Sequence, residues 1–247
     1  MNTRFNPTVN GPLHVGHLYL ILLNYYTAKD SGGRFIVRFD DDQLYWSSRF
    51  TGVEILAFVD GMKEDIEWAG IVPDLYTSEH EERAANEDFI QQYLCRPKDI
   101  MADGPINAPR YSPTIKTIER PYPYTTYLTG TRVAQDYREG IDLLIRGEDL
   151  ITDFSLYCHF CDVAGIRRPT FQYVSRMYSV ISPYGQALAD LSEVSKTQGG
   201  YSIRAYQEKG WNPNDLLSML AESALEDPRL GWTYENVKRQ PILRSVP

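Results

Sequence analysis

The spacing of hydrophobic residues predicts alternating strands and helices in the first third of the chain. Short strands are predicted at 3–6 and 34–39, and helices at 15–29 and 53–68, where apolar residues recur every three to four positions. Connections rich in Gly, Pro, Asn or Ser separate these segments. Strands that alternate with helices through short connections are typical of a parallel sheet covered by helices. We therefore expect an α/β fold.

The middle of the chain interrupts this pattern, and the pattern then resumes. Residues 70–80 are predicted to be a connection, and 81–94 a helix. Six prolines and no clear period mark 96–124, which indicates an irregular insertion between two half-domains. The later segments are a strand at 143–145, a helix ending near 164, extended stretches at 169–174 and 177–181, a polar loop at 185–198, and helices at 203–208 and 215–222.

Composition places the chain among ordinary globular proteins. It has 247 residues, of which 43% are hydrophobic and 23% charged, enough for one large or two small domains. The longest strictly apolar run, 18–23, is too short to cross a bilayer, so no membrane partner is expected. The first residues lack the apolar stretch of a signal peptide, and the three cysteines do not form a disulfide framework. These features favour a cytoplasmic protein.

Charge limits the contacts with nucleic acid that we expect. The chain has 25 basic and 33 acidic residues, a formal net charge of −8. Proteins that bind nucleic acid mainly through electrostatics are usually basic. DNA binding is therefore not expected, and any tRNA contact should be local. Residues 229–247, with four basic residues and one acid, form a candidate basic surface.

A phosphate-binding motif is predicted between the first strand and the first helix. The segment 11–17 reads Gly-Pro-Leu-His-Val-Gly-His and leads into that helix. A helix N-terminus offers free N–H groups and the positive end of the helix dipole to a phosphate. His14 and His17 share one helix face, and Gly16 leaves room for a flat ring to approach the backbone. The alternative is that two polar histidines merely cap a helix.

Several charged residues elsewhere are candidate ligand contacts. Lys196 lies in the polar loop, where it can reach the β- and γ-phosphates of a nucleotide, although taken by itself a lysine in a loop is more often an ordinary solvated residue. Arg146 directly follows a buried strand, where it needs an anion such as a ligand carboxylate or a structural partner, Glu148 or Asp149.

Two further candidates stand at the ends of the first two strands. Arg4 ends the first strand and can converge on the same crevice as Arg146. Asp40 ends the second strand, where a carboxylate can hold an ammonium group or assist Mg²⁺. A solvated acidic turn is the alternative for the two aspartates that follow.

The Cys158-His159-Phe160-Cys161 segment resembles half of a zinc site. A structural zinc ion needs four ligands, and only Cys95 and the distant His80 remain to complete the set. Cysteines three apart on a helix are often core residues. No metal site is therefore expected here.

Three ordered motifs together resemble glutamyl-tRNA synthetases, a class I aminoacyl-tRNA synthetase family. The first runs from Thr3 through the 11–17 motif to the Asp40-Asp41-Asp42 turn. The second comprises Asp136 and the Leu144-Ile145-Arg146-Gly147-Glu148-Asp149-Leu150 segment. The third is Val194-Ser195-Lys196, which resembles the mobile KMSKS loop. The resemblance extends over about residues 3–220. The family also includes stand-alone members that glutamylate a modified tRNA base.

The resemblance implies a Rossmann-like parallel sheet and an ATP-dependent ligase that forms an aminoacyl-adenylate, with Mg²⁺ accompanying ATP. It also implies that the chain has four parts. Residues 1–95 and 125–186 would be the two halves of the catalytic core, 96–124 a shortened connective insertion, and 187–247 the KMSKS-like loop with a C-terminal helical segment. By the same resemblance, the catalytic residues are His14, His17 and Lys196. The ATP-binding residues are Gly11, His14, Gly16, His17, Glu148, Ser195 and Lys196. The amino-acid-binding residues are Arg4, Thr8, Asp40, Tyr127, Leu128 and Arg146.

The sequence also departs from the family pattern. Glu193 replaces the first lysine of the KMSKS-type motif, and a carboxylate there would repel phosphate. The tyrosine of the family's amino-acid pocket aligns near Leu128, with Tyr127 one place away. The insertion that grips the tRNA acceptor end is short, and the anticodon-binding domains are not matched.

Three functions follow from these observations. The favoured one is activation of glutamate, expected from the arginine at 146, with transfer to tRNA or a modified tRNA base. The second is an amino-acid ligase with a small-molecule acceptor. The third is a non-catalytic paralogue that regulates a partner, which Glu193 favours and the retained His14, His17, Lys196 and Arg146 oppose.

Overall fold

The computed structural model of the chain describes residues 1–47, 49–94, 124–147, 150, 153–174, 180–181, 187–188 and 201–225. Several predictions concern positions outside these ranges. They are most of the insertion at 96–124, Cys95, Glu148, Asp149, most of the polar loop with Glu193, Ser195 and Lys196, and the basic stretch at 229–247.

A five-stranded parallel sheet forms the centre of the fold. Its strands are β1 (Thr3–Phe5), β2 (Phe35–Phe39), β3 (Leu75–Ser78), β4 (Leu143–Gly147) and β5 (Thr170–Val174), in the order β3-β2-β1-β4-β5. The register pairs Arg4 with Ile36 and Arg146 with Tyr173. The order reverses between β1 and β4, the place where open parallel sheets bind ligands. The predicted α/β fold with a Rossmann-like parallel sheet is confirmed.

Eight α-helices and one π-helical turn accompany the sheet in the described residues. They are α1 (Val15–Asp30), α2 (Asp42–Trp46), α3 (Gly52–Trp68), α4 (Arg83–Phe89) with the π turn Ile90–Leu94, α5 (Tyr124–Glu139), α6 (Phe154–Ala164), α7 (Ile203–Glu208) and α8 (Pro213–Leu225). The helices predicted at 15–29, 53–68 and 203–208 agree with α1, α3 and α7. A pair of two-residue antiparallel strands, β6 (Val180–Ile181) and β7 (Ala187–Leu188), precedes α7.

Both faces of the sheet are covered by apolar packing. Phe35, Val37 and Ile145 belong to one buried cluster, which includes residues of α1, α3, α7 and α8. Ile36 and Leu144 point to the other, which includes residues of α4, α5 and α6. Strands buried on both faces read as continuous apolar runs, as β2 and β4 do. Among the described helices, none is long and apolar enough to cross a membrane.

Some elements differ from the prediction. Residues 70–80 are not only a connection, because β3 occupies Leu75–Ser78 and pairs with β2. The polar loop predicted at 185–198 likewise contains strand β7. Helix α5 went unpredicted, because polar side chains form much of its buried face. Those buried polar residues are Thr129, Thr131, Gln135 and Asp136.

Candidate active site

The 11–17 motif lies at the carboxyl end of β1 and leads directly into α1. His14 is the N-cap residue of α1, and His17 lies in its first turn. The two imidazole rings stack with centroids 3.6 Å apart, and the backbone N–H of His14 donates to Nδ1 of His17 over 3.3 Å. Gly11 lies in the preceding loop, between β1 and α1. The motif therefore presents two stacked histidines that cap the N-terminus of α1, and their contact with a phosphate stays a prediction.

Gly16 makes room for this histidine pair. A Cβ atom at Gly16 would lie 3.2 Å from both Cε1 and Nδ1 of the His14 ring. That separation is tighter than an ordinary van der Waals contact. A side chain at this position would therefore press on a ring that is already stacked against its neighbour.

The motif is held from behind by the segment that follows the polar loop. The backbone N–H of Val15 donates to the carbonyl of Tyr201 over 3.2 Å, and the N–H of Ile203 donates to the carbonyl of Leu13 over 2.9 Å. Tyr201 comes five positions after Lys196 in the sequence. The segment that follows the lysine-bearing loop is thus hydrogen-bonded to the histidine motif.

Asp65 of α3 adds a second anchor for the same motif. Its buried carboxylate accepts a hydrogen bond from the backbone of Leu13. Burial raises the pKa of Asp65 to about 6, and Arg204 and the Leu13 hydrogen bond limit the increase. The ionisation of Asp65 therefore depends on its burial, on Arg204 and on its hydrogen bond to the histidine motif.

Asp40 lies at the end of β2 with its carboxylate buried. Thr8 Oγ1 donates to Asp40 Oδ2 over 3.1 Å, and Gln43 Nε2 donates to Oδ1 over 3.1 Å. Arg132 of α5 places Nη2 3.5 Å from Oδ2. The structure thus brings the predicted residues Thr8 and Asp40 together and adds an arginine that the sequence prediction missed.

Glu79 is a further acid at this edge that sequence reasoning missed. It follows β3, it is 1% exposed, and its Oε1 accepts from Nδ2 of Asn6 over 3.0 Å. Burial, followed by the nearby Asp40 carboxylate, raises the pKa of Glu79 above its usual range. The signal for it was hidden because β3 was not predicted.

Arg146 is buried at the end of β4 without a carboxylate partner among the described residues. Its side chain is packed against aromatic rings, with the guanidinium carbon 5.1 Å from the ring centroid of Phe171 and 5.5 Å from that of Tyr173. Nη2 donates to the Tyr173 hydroxyl over 3.2 Å, whereas Nε has no hydrogen-bond partner in the described part of the chain. A buried cation with an unused donor is suited to receive an anion.

Arg4, the other predicted carboxylate-binding arginine, is already paired. Its Nε and Nη2 donate to the two oxygens of Asp136 over 2.7 and 3.1 Å. Asp136 also contacts Nη2 of Arg38 at 2.7 Å and accepts from the Tyr157 hydroxyl over 2.7 Å. Burial opposes ionisation of Asp136, but Arg38 and Arg4 hold its pKa far below the usual range. Arg4 is therefore part of an internal ion network beneath the site.

The remaining predicted pocket residues lie on α5. Tyr127 is buried, and its hydroxyl donates to Glu87 over 3.2 Å and lies 3.5 Å from Asp42. Leu128 is half-buried. The Tyr127 hydroxyl is thus engaged on the side of α4 and α2, so its predicted contact with an amino acid stays a prediction.

The cysteine pair of the possible half zinc site lies in the core. Cys158 and Cys161 are buried on α6, and burial raises the pKa of both thiols. Within the described ranges, no group of three or more His, Cys, Asp or Glu side chains is arranged to hold a metal ion. The geometry gives these two cysteines a packing role.

The sheet order and the reversal between β1 and β4 are those of a Rossmann-like fold, which resembles the fold of class I aminoacyl-tRNA synthetases. A model of the family "tRNA synthetases class I (E and Q), catalytic domain" matches residues 1–95. A crystal structure of a glutamate tRNA ligase from Elizabethkingia meningosepticum superposes with a TM-score of 0.61 at 17% identity, covering 89% of this chain and 60% of that one. A tyrosyl-tRNA synthetase from Archaeoglobus fulgidus gives a TM-score of 0.55 at 15% identity, covering 96% and 68%.

Curated proteins with similar sequences include glutamate–tRNA ligases. The chain is 25% identical to glutamate–tRNA ligase 2 of Jannaschia sp., covering 92% of this chain and 60% of the relative. It is 24% identical to glutamate–tRNA ligase 2 of Methylobacterium radiotolerans, covering 98% and 63%. The chain thus spans about three fifths of the length of these relatives. Over residues 1–95 it is similar to the catalytic domain of class I tRNA synthetases of the glutamate and glutamine type.

Proposed function

We propose that the protein activates glutamate with ATP to form glutamyl-adenylate and transfers the glutamyl group to tRNA or a modified tRNA base. One observation carries the choice of glutamate: the buried Arg146 guanidinium has no carboxylate partner in the described part of the chain. It lies on β4, at the same sheet edge as the histidine motif that follows β1. The curated relatives, which are named glutamate–tRNA ligases, support the same choice.

The proposed reaction needs little covalent chemistry from the protein. A carboxylate oxygen of glutamate attacks the α-phosphorus of ATP, and the bond to the pyrophosphate oxygen breaks. The acceptor then attacks the acyl carbon, and AMP leaves. Positioning and charge stabilisation account for most of the catalysis in such a step.

His14 and His17, at the N-terminus of α1, are proposed to hold ATP. The two stacked imidazole rings lie at the positive end of the helix dipole, so ring N–H groups and the dipole can act on one phosphate chain. Gly11 and Gly16 are proposed to admit the nucleotide to the backbone. Glu148, Ser195 and Lys196 keep the roles that the family resemblance gives them, with Lys196 stabilising the departing pyrophosphate.

Mg²⁺ would arrive with the nucleotide. The described residues hold no ready-made cluster of metal ligands, so the phosphate oxygens of ATP would supply much of its coordination. Bound in this way, Mg²⁺ neutralises part of the triphosphate charge. The protein's own task is then to orient the α-phosphorus toward the attacking carboxylate.

Recognition of glutamate is proposed to combine two opposite charges. Arg146 would bind the side-chain carboxylate, since a charge-assisted hydrogen bond to an anion is stronger than one to the neutral amide of glutamine. Asp40, assisted by Thr8, would bind the α-ammonium group. Arg4, Tyr127 and Leu128 are proposed to complete the pocket, Arg4 from within its ion network.

The division of the chain is also part of the proposal. Strands β1, β2 and β3 fall in 1–95, and β4 and β5 fall in 125–186, which supports two halves of one catalytic core. Residues 96–124 would be the connective insertion, and 187–247 the KMSKS-like loop with the helical C-terminal segment.

A ligase with a small-molecule acceptor is the second candidate. The net charge of −8 and the short insertion favour an acceptor smaller than tRNA. In that case activation would occur without RNA. Glu193 is the residue that would favour a third outcome, a paralogue without activity.

Exchange between ATP and labelled pyrophosphate tests the proposal, measured with each amino acid in the presence and absence of total tRNA. We expect exchange with glutamate, and dependence on tRNA would indicate an RNA acceptor. Lys196→Ala should reduce the exchange rate at least about tenfold, whereas Lys209→Ala, a change at an exposed lysine nearby, should not. Exchange with a different amino acid would overturn the role of Arg146, and no exchange under any condition would favour the paralogue.

A further inference from the structure

Arg132 lies between two carboxylates at the site's edge. Its Nη2 is 3.5 Å from Asp40 Oδ2, and its Nη1 is 3.4 Å from Asp153 Oδ2. The Asp40 side chain is 3% exposed, that of Arg132 18% and that of Asp153 35%. The guanidinium therefore bridges a buried acid and a half-exposed one.

Asp40 has few other means of neutralisation. Its other side-chain hydrogen bonds in the described part of the chain come from the neutral donors Thr8 and Gln43, and the nearby Glu79 carboxyl group supplies no positive charge. Within the described ranges, Arg132 is the cation at ion-pair distance from this carboxylate. Burial of a carboxylate has a large desolvation penalty, which attraction to a neighbouring cation offsets. Arg132 consequently stands where a substrate ammonium group would have to bind.

Two cations cannot share this carboxylate without repelling each other. At a separation of about 4 Å, two like charges near a protein surface disfavour each other by roughly 4 kcal/mol. An arriving ammonium group must therefore displace the guanidinium from Asp40. The displaced guanidinium can remain paired with Asp153, because Nη1 of Arg132 already lies 3.4 Å from that carboxylate and the Asp153 side chain is partly exposed to solvent.

We propose that Arg132 competes with the substrate's α-ammonium group for Asp40. This competition would disfavour ligands that carry an α-ammonium group relative to those that do not. The inference rests on the proposed function, since it takes the glutamate site to include Asp40 and Arg146. It predicts that the protein binds glutamate less tightly than its other contacts allow. It also predicts that glutarate, the same five-carbon diacid without an ammonium group, is not penalised in this way.

Three variants separate this role from a structural one. Arg132→Gln removes the competing charge and keeps a side chain that can donate to Asp40. Arg132→Lys keeps a cation and should resemble the wild type. Asp153→Asn weakens the alternative position of Arg132, so the guanidinium should be held at Asp40 more firmly.

The experiment is calorimetric binding of glutamate and of glutarate to the wild-type chain and these variants. We expect Arg132→Gln to tighten glutamate binding about tenfold and to leave glutarate binding unchanged. Arg132→Lys should match the wild type, and Asp153→Asn should weaken glutamate binding severalfold. Equal changes for both ligands, no change, or no binding of either ligand to any variant would overturn the assignment of Arg132.

Pyrophosphate exchange measured on the same samples distinguishes failure of the proposed function. If the binding pattern follows the prediction but no variant supports exchange, activation is refuted while the competition at Asp40 stands. If exchange with glutamate occurs but Arg132→Gln binds both acids like the wild type, activation stands and the competition is refuted.

Discussion

Three arginines are buried near the carboxyl edge of the sheet, and they differ in how their charge is neutralised. Arg38 and Arg4 share Asp136, and Arg38 also contacts Glu139. Arg146 has aromatic neighbours and the Tyr173 hydroxyl instead, with no carboxylate within 4.0 Å in the described part of the chain. The network therefore stabilises the fold, whereas Arg146 is better placed to bind an anion.

Replacing Arg146 tests this difference. Arg146→Leu removes the proposed contact to the substrate carboxylate, and we expect glutamate binding to weaken by about 100-fold. The free energy of unfolding should stay the same or rise, because the variant removes a buried charge that has no carboxylate partner among the described residues. Calorimetric binding and urea unfolding measure the two effects. Arg167→Leu is the control, since Arg167 is an exposed arginine, and a large loss of stability in Arg146→Leu would contradict this account.

Replacing Asp136 tests the network. Asp136→Asn leaves Arg4 and Arg38 without the carboxylate they share, and breaking a buried ion pair on one side costs about 3–5 kcal/mol. The measurement is the free energy of unfolding in urea. Asp162→Asn, at an exposed pair with Arg168, should leave that free energy within error. Equal effects of the two changes would show that the buried network contributes no more than a surface pair.

Residue pairings were the least predictable level of the structure. Arg4 was predicted to bind a ligand, yet its partner Asp136 lies 132 positions away in sequence. Nothing in local spacing shows that the two side chains meet. The burial of Arg146 was easier to anticipate, because an arginine next to a continuous apolar strand already implies a buried cation.

Among the elements, α1 is the one whose beginning carries the proposed chemistry. Its N-terminal motif is paired with Tyr201 and Ile203 on one side and hydrogen-bonded to Asp65 of α3 on another. These hydrogen bonds to Leu13 and Val15 hold the backbone of the motif in place. Its histidines can then face a ligand without the backbone having to reorganise.

The close approach at Gly16 predicts a change in function with little change in fold. In Gly16→Ala, the new methyl group would press on the His14 ring, 3.2 Å away. Alanine is also the better helix former by about 1 kcal/mol, so the melting temperature should not fall much. We expect ATP binding to weaken at least about tenfold, measured by calorimetry. Unchanged ATP binding would show that the position of the His14 ring does not matter for the nucleotide.

Asp65 predicts how the stability of this region depends on pH. Its pKa is about 6 in the folded protein and lower in the unfolded chain, so the folded state takes up a proton first. The wild type should therefore gain stability relative to Asp65→Asn as the pH falls from 7 toward 4. Asparagine retains an oxygen that can accept from Leu13. Urea unfolding of both proteins across this range measures the difference, and a constant difference would contradict the raised pKa.

Helices and strands could be predicted from the sequence where their buried positions are apolar at regular spacing. Helices α1 and α3 were found because their buried positions are apolar at helical spacing. Helix α5 was missed because much of its buried face is polar, and that face includes the network residue Asp136. Strand β3 was missed because it is short, lies at the sheet edge and is mostly exposed or half-buried.

At the scale of the whole molecule, strand order places motifs that are distant in sequence at the same edge of the sheet. Strands β1 and β4 are neighbours although about 140 positions separate them in sequence. The histidine motif after β1, Asp40 after β2 and Arg146 at the end of β4 therefore lie along the same edge of the sheet. The sequence motifs predicted this architecture through family resemblance, whereas the Arg132–Asp40 contact required the three-dimensional arrangement.

The most direct test of the account follows oxygen from the acid to AMP. The wild-type protein would be supplied with ATP, Mg²⁺, glutamate labelled with ¹⁸O in its carboxylates, and hydroxylamine as the acceptor, with and without total tRNA. If glutamyl-adenylate forms, glutamyl hydroxamate appears and mass spectrometry finds one ¹⁸O atom in AMP. AMP without the label, or no glutamate-dependent AMP in either condition, would contradict the claim that this protein activates glutamate.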